Sequence, residues 1–226
     1  MQHYTHQRTL LLDRRGTSGK DHPHSVTATF SLAYAHVKQK NSLAADLLCL
    51  CAFLYAEGIP EDLFVADPSL AGPALATNRY QLDQAIATLR TVSLVQRQPE
   101  TRMLSLHRLV QVVLQAEMSE QQRTVWQQRV IHLLNVAFPT VASHTGAELW
   151  EQCERLLPHA MTCAVAIQDR CQDQELADLL LKAADYLHER SGYKQVFPYR
   201  LKIFQTLSTK GLQGEILRER DTTDCR

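Results

Sequence analysis

The stretch Asn78–Gln115, NRYQLDQAIATLRTVSLVQRQPETRMLSLHRLVQVVLQ, changes its hydrophobic period twice, and few arrangements of a chain satisfy both changes. From Gln81 to Val92, Leu82, Ile86 and Leu89 recur at spacings of four and three, one face of an α-helix. Ser93–Gln98 then alternates, with Leu94, Gln96 and Gln98 on one side and Val95 and Arg97 on the other, as a half-buried strand requires. Pro99 and Glu100 supply the turn, and Met103–Leu106 the returning strand. His107 then leads into Leu109, Val112 and Val113, where the helical period resumes. A short helix followed by a two-stranded ribbon is half of a winged helix-turn-helix, a unit that binds nucleic acid in some proteins and only other protein in others.

The neighbouring segments supply the helices such a unit needs. Ser25 is a suitable N-cap for a helix to Lys38, with Val26, Phe30, Ala33 and Val37 on one stripe. Asn41 or Ser42 caps the next, in which Leu43, Leu47, Leu50 and Leu54 form one row while Leu48, Cys51 and Phe53 fill other sides. A helix apolar nearly all round is a buried one, so this segment is the expected centre of the first core. Gly58 stops it, and Pro60 suits the first turn of a short helix through Leu63 and Phe64. With two Pro and one Gly, 67–77 reads as a loop.

Beyond Ser119 the pattern is helical throughout. Val125 or Trp126 with Val130, Leu133, Leu134 and Ala137 predicts one helix, ended by Pro139. Leu149, Cys153, Leu156, Ala160 and Ile167 predict a second over 146–168, bent at Pro158. Helices over 174–190 and 193–207 follow, joined at Ser191 and Gly192. Antiparallel helices with short turns suggest an α-solenoid. The expected architecture is therefore mainly α: a helix and loop over 1–24, a winged helix-turn-helix with a small β-hairpin wing over 25–118, a helical domain over 119–210, and a charged tail over 211–226.

Charge and cysteine usage narrow the function classes. Twenty-four basic and 24 acidic residues cancel, so no general attraction to nucleic acid or anionic membrane exists. No run approaches the roughly 20 apolar residues of a membrane span. The 6 cysteines include no CxxC pair, and Cys49 and Cys51 point to different sides of one helix, which points to buried thiols in a reducing cytoplasm. Two apparent motifs fail on chemistry. Gly16, Gly19 and Lys20 lack the four-residue glycine spacing of a phosphate-binding loop, and Asp21 stands where a hydroxyl is needed. His22 and His24 flank Pro23 without further ligands, whereas zinc wants about four. No nucleophile–base pair or metal-ligand set emerges, so neither an enzyme nor a cofactor is expected.

Four patches carry a resemblance. DRRGTSGKDHPHSVTATFSLAYAHV, AADLLCLCAFLYAEGIPEDLF, RMLSLHRLVQVVL and LWEQCERLLPHA, in this order, resemble the segment linking the NTPase module to the repeats in bacterial NB-ARC and tetratricopeptide-repeat proteins of the STAND class. The resemblance spans residues 8–205. It implies a winged helix that folds over nucleotide held by an NTPase module, and a histidine at the wing exit that reads the ADP phosphate. Leu106-His107-Arg108 occupies that place, with Arg108 where the better-known motif has Asp, so the resemblance assigns nucleotide sensing to His107 alone. The bland reading is that His107 bridges strand and helix. The resemblance also makes the last helices a TPR-like hairpin, with Ala184, Leu187 and Tyr193 matching and Val196 and Arg200 departing. About three such repeats are needed to bury their faces, so a fragment or split gene product is expected.

The reading that results is a non-catalytic regulatory segment whose partners are proteins: an NTPase module and repeats, in the same or a separate chain. The alternative is a winged-helix DNA-binding regulator with Gln81–Val92 as recognition helix. Its face and flanks hold Arg79, Asp83 and Arg90, and the wing adds Arg97 and Arg102 against Glu100, which is mildly basic and makes nucleic acid the weaker partner.

Overall fold

The computed structural model describes residues 26–65, 78–141, 146–166 and 174–191. The expected N-terminal helix, the 16–24 loop with its two failed motifs, the Ser25 cap, the 67–77 loop, the 193–207 helix and the tail lie outside them. The chain divides into two compact units, 1–129 and 130–226.

In the first unit, α1 (Val26–Lys40) buries Phe30 and Val37, and Lys38 and Lys40 in its last turn complement the negative end of its dipole. Asn41 caps α2 (Ser42–Cys51), its side-chain oxygen accepting the Ala44 N–H at 3.1 Å. Helix α2 is the core element that its apolar circumference predicts, with Leu47, Leu48, Cys49, Leu50 and Cys51 all buried. It ends at Cys51, so Leu54 is buried from a turn beyond the helix, and Leu43 is only half-buried. The carbonyls that α2 leaves without helical partners are met from elsewhere. Gln111 Nε2 donates to Cys51 O and Leu54 O at 2.9 Å each, and Gln115 Nε2 to Ala52 O at 2.5 Å.

After Gly58, whose φ of +65° suits a residue without Cβ, the chain differs from expectation. Ile59–Pro60 is a strand, β1, and the helical turn that follows is a 3-10 helix, Glu61–Phe64. Proline lacks an N–H but keeps a carbonyl, so Pro60 is tolerated at the edge of a sheet. Asn78 caps α3 (Arg79–Thr91), accepting the Gln81 N–H at 3.0 Å, and Leu82, Ala85, Ile86 and Leu89 form its buried face.

Helix α3 closes in a Schellman pair. Leu94 N–H donates to Leu89 O at 3.2 Å and Ser93 N–H to Arg90 O at 3.0 Å, with Ser93 at φ +56°. That left-handed residue delays the strand, so β2 covers Gln96–Gln98 rather than starting at Ser93. Leu94 is consequently buried in the turn, while Val95 and Arg97 face inward and Gln96 and Gln98 outward, as the alternation predicts. Strand β3 is Met103–Ser105, and the sheet is antiparallel in the order β1-β3-β2. Its register aligns Ile59, Leu104 and Arg97 in one row. Helix α4 (Arg108–Glu117) follows. Ser119 and Gln122 then form a reciprocal capping box at the start of α5 (Glu120–Ala137), and the boundary between the units falls within α5, after Arg129.

The second unit holds the end of α5, α6 (Ala147–Ala166) and α7 (Gln174–Ser191). Its core includes Leu134, Phe138, Cys153, Leu156, Ala160, Leu180 and Tyr186. Phe138 meets Tyr186 edge-on at 6.4 Å between ring centres, and Trp150 lies 5.5 Å from the same ring, so Trp150 is a packing residue. Leu149 departs from the predicted apolar stripe and is 41% exposed, because it sits in the first turn of α6. The last carbonyls of α5 are capped by Lys182 Nζ on Asn135 O at 2.6 Å and Gln152 Nε2 on Ala137 O at 3.0 Å. Over the described residues the structure is thus mainly α with one small antiparallel sheet. No helix of the described residues is long and apolar enough to cross a membrane.

Candidate functional site, the His107 cap and the Glu61 cluster

His107 lies between β3 and α4, in extended backbone at φ −68° and ψ 132°. It is the N-cap of α4, and its ring Nδ1 accepts the Leu109 N–H at 3.1 Å. An acceptor nitrogen carries no proton, so this bond requires a neutral imidazole with its proton on Nε2. The residue is exposed, and it is fixed from the sheet side because Leu106 N–H donates to Ala56 O at 2.8 Å. His107 therefore does bridge strand and helix. It also presents an imidazole edge at a helix N-terminus, where backbone N–H groups and the dipole favour an anion. Arg108 beside it is exposed as well.

A second constellation was not legible in the sequence. Glu61, the first residue of the 3-10 helix, is fully buried, and two arginines converge on it. Arg97 grips it with both faces of its fork, Nε to Oε1 at 2.5 Å and Nη2 to Oε2 at 2.8 Å, and also reaches Asp83 Oδ1 at 2.6 Å. Arg79 spans Glu61 Oε2 at 2.9 Å and Asp62 Oδ1 at 2.5 Å. The hydrogen bond to Glu61, first among several contacts with carboxylates, holds the Arg97 guanidinium above its ordinary range. Three carboxylates and two guanidiniums leave this cluster with a net charge of −1. No spacing rule could have found it, because Glu61 and Arg97 are 36 positions apart and meet only through the sheet register.

These pairs change the electrostatics of α3 and the β2–β3 hairpin. Arg79 and Arg97, half of the basic residues counted toward a nucleic-acid face, are committed to carboxylates, leaving Arg90 and Arg102 exposed alongside Glu100. The outward side of α3 carries the uncharged Tyr80, Gln81, Gln84, Ala87, Thr88 and Thr91 beside the exposed Arg90, and Tyr80 is 70% exposed. Thr88 and Thr91 donate their hydroxyls to the helix's own Gln84 and Thr88 carbonyls, at 2.9 and 2.7 Å. Among the described residues no group of three or more His, Cys, Asp or Glu could hold a metal ion.

No curated protein and no solved structure matches the chain. Residues 35–123, from the middle of α1 to the first turn of α5, match the model of a family described as a domain of unknown function, DUF7779.

Proposed function

We propose that the first unit is a winged helix that works as a non-catalytic restraint on an NTPase module of the STAND class, and that the TPR-like helices of the second unit make contacts with protein. The observation that carries this reading is the order of elements: helix, β1, 3-10 helix, α3, β2, β3, with β3 central in the sheet. A helix followed by an antiparallel hairpin in that order supports reading the unit as a winged helix. Its chemistry favours protein over nucleic acid. The outward side of α3 carries one exposed cation, Arg90, and two nearby arginines are paired internally, whereas a DNA reader concentrates cations there.

Within this reading His107 is the residue that meets the nucleotide phosphate. It stands exposed at the start of α4, where an anion is favoured, and a bound phosphate would take its Nε2–H. The test joins the chain to a STAND-type P-loop module and follows the release of fluorescent ADP. The chain should slow release, and His107→Asn, which can still cap α4, should restore most of the rate. Equal release with and without the chain rejects the restraint, and a slow rate that survives His107→Asn rejects the role of His107. A salt-dependent shift of duplex DNA would instead support the alternative, a DNA-binding regulator.

A further inference from the structure

Strand β2 is held to its unit in an unusual way. Its three side chains are Gln96, Arg97 and Gln98, none of them apolar, and both glutamines are exposed. Its neighbours are anchored by burial: Ile59 in β1 and Leu104 in β3 are 0% and 1% exposed, and Leu94 and Val95 are buried at the foot of the wing. Because Arg97 pairs with Leu104 in the register, its side chain lies on the same face as those apolar residues and reaches Glu61 and Asp83 across them. Gln98 Oε1 accepts the Thr101 hydroxyl at 3.2 Å within the hairpin, and among the described residues the side-chain hydrogen bonds that carry β2 beyond the hairpin come from Arg97. The segment is also bracketed by two non-glycine residues in left-handed backbone, Ser93 at φ +56° and Arg102 at φ +52°, conformations that store strain and turn up at elements that move.

We propose that β2 is a charge-held latch: the Arg97 bridge to Glu61 and Asp83 keeps the outer wing strand in place, and breaking that bridge releases the strand while the helical core stays folded. Burial holds β1 and β3, and exchange of charge partners controls β2. The groups facing Arg97 are Glu61 from the 3-10 helix and Asp83 from α3, with Arg79 sharing Glu61, so a competing carboxylate or cation from a docking protein acts on the same node. The inference goes beyond the proposed restraint, since it concerns the wing whatever the unit docks against.

Amide hydrogen exchange on the full chain tests it. In Arg97→Gln, peptides covering 94–103 should exchange roughly tenfold faster than in the wild type, while those from α2 at 42–51 stay within about twofold. Arg97→Lys keeps the charge but loses the fork and should fall between the two. If Arg97→Gln is too unstable to measure, Asp83→Ala removes one acceptor, leaves Glu61 paired, and should accelerate 94–103 roughly threefold with α2 unaffected. Unchanged exchange over 94–103, or equal acceleration in α2, overturns the latch, the second because it marks a merely global loss of stability.

Discussion

The Cys49 thiol lies 3.3 Å from the Tyr34 hydroxyl, and Cys51 and Cys163 are equally enclosed. Burial pushes the Cys49 thiol up to about 11 and Cys163 to about 12, because a thiolate loses its hydration there. A thiol-specific disulfide reagent at pH 8 should therefore modify these cysteines no faster than the chain unfolds, and rapid labelling of the native protein would contradict their placement. The pH dependence has a definite sign. The fold favours the neutral thiol, so the contribution of Cys49 is fully present below its ordinary value of 9.0 and is lost as pH rises toward about 11. Gln111 tests the polar side of the same core. Gln111→Ala leaves the Cys51 and Leu54 carbonyls without their side-chain donor and should cost about 1–3 kcal/mol in urea denaturation.

At the scale of elements, turn chemistry sets where each one ends. Ser93 occupies the left-handed position of the α3 Schellman motif, a position that costs an L-residue about 1–2 kcal/mol and that glycine takes without steric penalty. Allowing for glycine's greater freedom in the unfolded chain, Ser93→Gly should stabilise the unit by about 0.5–1 kcal/mol, read as a higher urea midpoint at constant slope. The helices were readable beforehand because Leu82, Ile86 and Leu89, or the leucines of α2, declare one buried face through local spacing alone. Strand β1 was not, since two residues carry no period and Pro60 before an acidic pair reads equally well as a helix start. The same limit hid Glu61: a carboxylate is buried only when distant cations arrive, and no local pattern announces Arg79 and Arg97. His107 was visible as a junction between a strand and a helix, but its cap to Leu109 is a matter of ring geometry.

For the whole molecule, equal numbers of cations and anions combine with internal pairing of Arg79 and Arg97. Duplex DNA of mixed sequence should consequently show no mobility shift at about 50 mM salt, the condition that most favours phosphate contacts, and a shift that weakens steeply with salt would refute this. The second unit has its own decisive residue. Tyr186 is fully buried against Phe138 and Trp150 and accepts a hydrogen bond from Arg190, so Tyr186→Ala should cost about 3–5 kcal/mol.

Pro60 closes the β1 edge of the sheet. A foreign strand approaching that side would find no amide hydrogen at Pro60 and only two residues to pair with, too little to seed an intermolecular ladder. Self-association through sheet extension, and the fibrils to which it leads, is thereby disfavoured on that side by the covalent structure of a single ring.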